Sequence, residues 1–177
     1  MAFSINDFSN QYVGDYARPN LFEVTIAGIA GAPMFAKAAS LPAASVAPIE
    51  VPYLNRKLKV PGDRTFADWT VTFINDEAYV VRNALLLWQQ TIQGFTSFAS
   101  TTGVGGAHKK IEVQPFRRDG SQQPGGMVAL YGWPSEVGAI ELGWETTDAI
   151  QEYSVTFAIS WDDASVDAQD VNVLSAT

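Results

Sequence analysis

The chain contains no cysteine. Disulfide stapling, thiolate catalysis and sulfur-ligated metal sites are excluded together, so the fold has to hold by packing alone. Histidine is nearly absent as well: His108 is the single one in 177 residues, too few for an imidazole-based metal cluster within one chain. Positive charge is scarce. Eleven Lys and Arg against 19 Asp and Glu leave a formal charge of −8, which disfavours a tight grip on nucleic acid phosphates but suits a protein that lets nucleic acid pass. No run approaches 18 apolar residues, and Met1 to Gln11 lacks a basic stretch followed by an apolar core. The sequence therefore predicts neither a membrane span nor a secretion signal.

Aromatic residues are plentiful. Five Trp, six Tyr and ten Phe in an acidic chain require a generous core or extensive contacts with partners. Trp133 and Trp144, near expected strand ends, could serve either purpose. The length fits one domain, placed at residues 1–161 with an N-terminal arm, followed by an acidic C-terminal extension over 162–177.

Period-two alternation marks the strands. Phe22, Val24 and Ile26 form one strand ended by Gly28 to Gly31, and Trp69, Val71 and Phe73 another. Ile111, Val113 and Pro115 form a third, with Met127 to Trp133 a further element. Tyr153, Val155, Phe157 and Ile159, continued by Trp161, alternate with small or polar residues as a long strand with one apolar face. The Pro- and Ala-rich stretch from Pro33 to Pro52 disfavours a long central strand, although Val46 to Val51 fits an edge or bent one. Tyr53 to Val60 reads as a strand with basic exposed positions, closed by a turn at Pro61-Gly62-Asp63, and Pro134 to Gly138 reads as another turn. Ile140, Leu142 and Trp144 beyond it fall on one face.

One helix stands out, over Asp76 to Gln93. Val81, Leu85 and Trp88 recur at helical spacing, Asn75 is placed to cap the N-terminus, and Asp76 and Glu77 lie where first-turn amides favour negative charge. Leu86 and Leu87 widen the apolar stripe enough to suggest burial on more than one side. The Gly-, Ser- and Thr-rich stretch 94–106 reads as a loop. Seven or so strands and one helix predict a mainly β fold, an antiparallel barrel or sandwich with one flanking α-helix. Its free strand edges are templates for another chain.

No residues combine into a convincing catalytic, cofactor or metal site. Asp162, Asp163, Asp167 and Asp170 lack the central glycine and closing glutamate of a calcium loop, and no lysine–serine pair opens a helix after the glycines at 103–106. His108 reads as a loop residue. Arg56, Lys57, Lys59 and Arg64 form a basic patch on an acidic chain, open to two readings: a solvated face, or complement to acidic surface on another copy.

Ala17-Arg18-Pro19-Asn20-Leu21-Phe22, Leu41-Pro42-Ala43, Pro61-Gly62-Asp63-Arg64-Thr65-Phe66, Asp68-Trp69-Thr70-Val71-Thr72, Asn75-Asp76-Glu77-Ala78 and Gly132-Trp133-Pro134 occur in an order and spacing that resemble the major tail tube proteins of contractile-tailed, myovirus-type bacteriophages. The resemblance spans about Asp15 to Trp161. It implies a β-barrel subunit of the phage tail tube type, six copies per ring and rings stacked into a conduit for the genome inside a contractile sheath. Implied partners are other copies of the chain, the sheath, baseplate, tail terminator and tape measure proteins, and double-stranded DNA passing the lumen without specific binding. The implied location is the virion tail. Arg56, Lys57, Lys59, Asp63 and Arg64 are then expected at contacts between subunits, with Asp68 and Asp76 as acidic counterparts. Trp69, Val71, Phe73, Val81, Leu85, Trp88, Tyr153, Val155, Phe157 and Ile159 are expected in the core. Rival readings are a baseplate or terminator ring, the tube of a phage-derived injection device, a cell-wall polysaccharide hydrolase built on a carboxylate pair, and a monomeric carbohydrate-binding module.

Overall fold

The computed structural model describes residues 5, 17–94, 104–123, 125–145 and 148–163. In chain order the elements are β1 (Phe22–Ile26), α1 (Ala32–Phe35), β2 (Ala36–Ala39), β3 (Ala44–Tyr53), β4 (Arg56–Phe66), β5 (Trp69–Ile74), α2 (Val80–Ile92), α3 (Val104–Ala107), β6 (Lys109–Pro115), β7 (Val128–Val137) and β8 (Glu152–Asp163). Six strands pair antiparallel in the order β1-β6-β7-β8-β5-β2, and the terminal strands β1 and β2 approach one another, so the sheet curls into a near-closed barrel. Strands β3 and β4 pair only with each other, as a separate hairpin.

The core occupies the concave face of the sheet and is roofed by α2. Val24, Ile26, Ile111, Val113 and Leu130 line one half; Trp69, Val71, Phe73, Tyr153, Val155 and Phe157 line the other, all buried. Ile159 is only partly buried but packs against this cluster. Helix α2 contributes Val81, Leu85 and Trp88 from a single face. Phe157 is flanked by two indoles, 5.7 Å from Trp69 and 6.3 Å from Trp88 between ring centroids, and thereby joins β5, β8 and α2. Both indole N–H groups are satisfied on backbone: Trp69 donates to the Ser40 carbonyl and Trp88 to that of Ala107 at 3.0 Å. Polar side chains fix the helix on β7, where Arg82 donates to the Gly138 carbonyl at 2.8 Å and Gln89 to that of Pro134 at 3.1 Å.

Several boundaries depart from expectation. Pro61-Gly62-Asp63 does not end a strand: β4 continues to Phe66, and the motif is absorbed by a register shift between Val46 and Pro48. The reversal lies instead at Leu54 and Asn55, both with positive φ, as a two-residue hairpin turn demands. Pro134 to Gly138 is likewise no turn, since β7 runs to Val137 with an irregularity between Pro134 and Glu136. Gly132 is buried where β8 bulges across it; a Cβ there would collide with the Ala158 carbonyl oxygen.

Helix α2 begins at Val80, later than expected. Asp76 accepts from the Val80 N–H at 3.0 Å, while the Asn75 amide donates to Gln151 at 3.0 Å. Leu87 is exposed, so α2 buries one face and not several. Strand β2 and the single helical turn α1 had no periodic signal short enough to read. Residues 95–103 of the expected loop and 164–177 of the expected acidic extension lie outside the described residues.

Candidate assembly surfaces

The β3–β4 hairpin differs from every other strand pair. All described side chains from Ser45 to Pro61 are exposed, on both of its faces. Residues directly opposite in an antiparallel pair share a face. Ile49 faces Val60, Val51 faces Leu58 and Tyr53 faces Arg56, which gathers an apolar stripe on one side. Pro48 and Pro61, Glu50 and Lys59, and Pro52 and Lys57 form the other, mixed side. Ile49 and Leu58 are 56% and 64% exposed, although such β-branched and aliphatic rungs normally pack against something. The hairpin has the amphipathic pattern of a half-buried ribbon without the cover that would bury it.

Of the charged residues expected at contacts, five lie on this hairpin. Arg56 follows the turn, Lys57 pairs with Glu50 at 2.6 Å, and Lys59 stands across from the same glutamate. Asp63 sits exposed in the irregular stretch. Arg64 pairs with Asp162 of β8 at 2.7 Å and lies over the Phe66 ring at 5.2 Å, clamping the base of the hairpin to the barrel. Among the described residues Arg56 and Lys59 have no ionic partner. Asp68 is exposed in the link to β5, at the end of β4 opposite the tip, so the eleven-residue strand separates it from the tip by about 35 Å. Asp76 lies past the far end of β5 and caps α2. Neither acid meets the basic patch within the chain.

A second exposed region follows β7. Residues 139–145 and 148–151 form a loop on which Leu142, Trp144 and Ile150 are open to solvent, Trp144 completely. The alternation of Ile140, Leu142 and Trp144 had suggested a common face, but no strand forms. The loop and the start of β8 border an open cleft of about 750 Å³ lined by both apolar and polar residues, among them Glu141, Leu142, Trp144, Ile150, Glu152 and Tyr153. Tyr153 is 3% exposed, its hydroxyl has no hydrogen-bond partner, and burial pushes its phenol up to about 12.

His108 is more than a loop residue. It lies edge-on to Trp133 at 4.9 Å and against Trp161 at 4.8 Å, which in turn stacks on Tyr131 at 5.3 Å. Trp133 is thus half-buried in an aromatic cluster on the barrel wall. Among the described residues no group of three or more His, Asp or Glu could hold a metal ion, and no helix is long and apolar enough to cross a membrane.

Residues 17–161 match the family model described as phage tail tube protein. The tail tube protein gp19 of Enterobacteria phage T4 is 39% identical over 150 residues, covering 84% of this chain and 91% of that protein. The chain belongs to the phage tail tube protein family. It is a structural tail subunit and not an enzyme. The same fold occurs in solved assemblies of low sequence identity. One is the tube-terminating cap of the anti-feeding prophage: TM-score 0.61, 17% identity, 85% of this chain and 91% of that one. Another comes from the sheath–tube complex of an extracellular contractile injection system, the PVC: TM-score 0.58, 14% identity, 91% and 97%. The concentration of positive charge in the sequence singles out the basic rungs of the hairpin. It misses the apolar rungs Ile49, Val51, Leu58 and Val60, whose alternation is visible in the sequence but interrupted by Pro48, Pro52 and Pro61.

Proposed function

We propose that the chain is the repeating subunit of the inner tail tube of a contractile phage, six copies closing a ring and rings stacking into a conduit for the genome. One observation carries this reading: the hairpin over residues 44–66, with an apolar stripe and unpaired cations, stands free of the only core the described residues build. A ribbon of that kind is a liability on a monomer and an interface on a polymer. The free edges of β1 and β2 offer a second means of joining copies strand to strand. The chain's acidity suits a lumen that repels DNA phosphates and so conducts without holding. A sheath outside, a baseplate and terminator at the ends, and a tape measure protein inside complete the expected set of partners.

A baseplate or terminator ring, or the tube of a genome-free injection device, shares this fold. The 39% identity to a phage tail tube protein over most of both chains favours the tube itself. Electron microscopy of the purified chain, alone and with baseplates, tests the proposal. Hollow rods of six-membered rings are expected; isolated single rings in both conditions would assign the chain to a ring position, and monomers in both would overturn self-assembly.

A further inference from the structure

The connection between β6 and β7 contains a chemically reactive bond that its own geometry imposes. Arg117 donates its N–H to the Ser121 carbonyl at 2.8 Å, and the Gly120 N–H donates to the Arg117 carbonyl at 3.0 Å. The result is a tight reversal in which Gly120 holds φ at 81°. A Cβ on Gly120 would meet nothing within 4 Å, so backbone conformation and not space requires glycine there. Asp119 precedes it, which makes this the one Asp-Gly bond in the chain; no Asn-Gly bond occurs.

An exposed Asp-Gly bond is a place where a polypeptide rearranges without an enzyme. The glycine nitrogen attacks the aspartic carboxyl carbon, and the amide proton and the carboxyl hydroxyl leave as water. A succinimide ring remains. Water then opens one of its two carbonyls, restoring aspartate at one and routing the main chain through the side-chain carbon, as isoaspartate, at the other. Glycine favours the attack because no side chain shields its nitrogen.

We propose that Asp119-Gly120 is a latent isoaspartate site and that Ser121 is the residue that keeps it closed. The electrophile is held first. Asp119 Oδ1 accepts from the Ser121 N–H at 2.9 Å and from the Ser121 hydroxyl at 2.6 Å. The nitrogen has to meet the carboxyl face-on, and turning the carboxyl to present that face breaks both bonds. The nucleophile is held as well, because the Gly120 N–H is engaged by the Arg117 carbonyl. Protonation acts in the same direction: the two bonds from Ser121, helped by the Arg117 charge, hold the Asp119 carboxyl below the usual carboxylate range. The ionised form carries no hydroxyl that can leave.

The lock guards the fold around it. Isoaspartate inserts an extra carbon into the main chain between Arg117 and Ser121, where the two backbone bonds close the reversal. The strands on either side supply Ile111, Val113 and Leu130 to the core. A tail subunit is not renewed once built into a particle, so slow backbone chemistry accumulates in it.

Incubation of the folded chain at neutral pH in heavy-oxygen water tests the assignment. Each ring opening adds one heavy oxygen to the peptide containing Asp119, and fragmentation in the mass spectrometer separates isoaspartate from aspartate. Folded Ser121→Ala should accumulate isoaspartate about threefold to tenfold faster than the wild type, the range that one hydrogen bond spans. Ser121→Thr keeps the hydroxyl and should stay near the wild-type rate. In guanidinium, where the reversal is lost, all three chains should react at one common and faster rate. Thermal melts establish that the variants are folded before incubation. A folded wild type that reacts as fast as the denatured chain overturns the proposal, as does a folded Ser121→Ala chain no faster than the wild type or a Ser121→Thr chain as fast as Ser121→Ala. These rates are read on the unassembled chain, so they stand or fall apart from the tube reading.

Discussion

Strands β5 and β8 and strands β3 and β4 are both antiparallel pairs with alternating apolar rungs, yet they meet opposite fates. On β5 and β8 each apolar rung is sealed: Trp69 against Phe157, Val71 against Val155 and Phe73 against Tyr153, all buried beneath α2 or within the sheet. On β3 and β4 the apolar rungs Ile49–Val60 and Val51–Leu58 are as regular and remain in water. Alternation of apolar and polar residues encodes a face that wants covering, but does not encode what covers it. In the barrel the cover is part of the same chain. For the hairpin it has to come from elsewhere, and that difference separates the residues that fold this subunit from those that assemble it.

The comparison is broken most directly at the centre of the barrel. Phe157→Ala empties the space between Trp69 and Trp88 and should cost about 3–5 kcal/mol in urea denaturation of the unassembled chain. A loss well under 1 kcal/mol accompanied by failed tube formation would move Phe157 from the folding set to the assembly set.

The hairpin should respond the other way round. Leu58→Asp with Val60→Asp places charge on the apolar stripe without disturbing the barrel, so the melting curve of the monomer should shift by no more than about 0.5 kcal/mol. Rods scored by electron microscopy should disappear. Normal rods from this variant would show that the stripe is merely solvated, while a large loss of monomer stability would show that the hairpin covers part of its own barrel.

What the sequence discloses follows the same division. Elements whose partners lie within the chain announced themselves: the alternation in Trp69 to Phe73 and in Tyr153 to Ile159, and the spacing of Val81, Leu85 and Trp88, led to the observed faces. Misreadings arose where a tertiary need outweighed a local signal. Pro61-Gly62-Asp63 carries the composition of a turn, but a strand pair with free outer edges tolerates proline and absorbs the triplet as an irregularity. The true reversal escaped because leucine is a poor choice for positive φ. Asn75 has the chemistry of a cap, but the helix starts five residues beyond it, where the Val80 N–H donates to the Asp76 carboxylate. The basic hairpin residues were visible as a cluster, whereas the cleft after β7 was not, because its walls come from a loop without period and from the opening residues of β8.

The smallest effect concerns the boundary between the two regions, at Tyr153, which is part of the core and also lines the open cleft. Its buried hydroxyl has no partner, so Tyr153→Phe should leave stability at neutral pH unchanged or slightly higher. At alkaline pH the two chains should part. Burial, partly offset by Arg82 and reinforced by Asp76, raises the folded phenol from 10.0 to about 12, and the unfolded chain therefore ionises first. Below pH 10 both states keep the proton and the linkage is silent; as pH climbs from 10 towards 12 the folded form loses the advantage of its neutral phenol. Denaturation midpoints of the tyrosine chain should thus fall more steeply across that window than those of the phenylalanine variant. Parallel slopes would mean that the phenol reaches water through the cleft, and a loss above about 1 kcal/mol at neutral pH would mean that the hydroxyl has a partner after all.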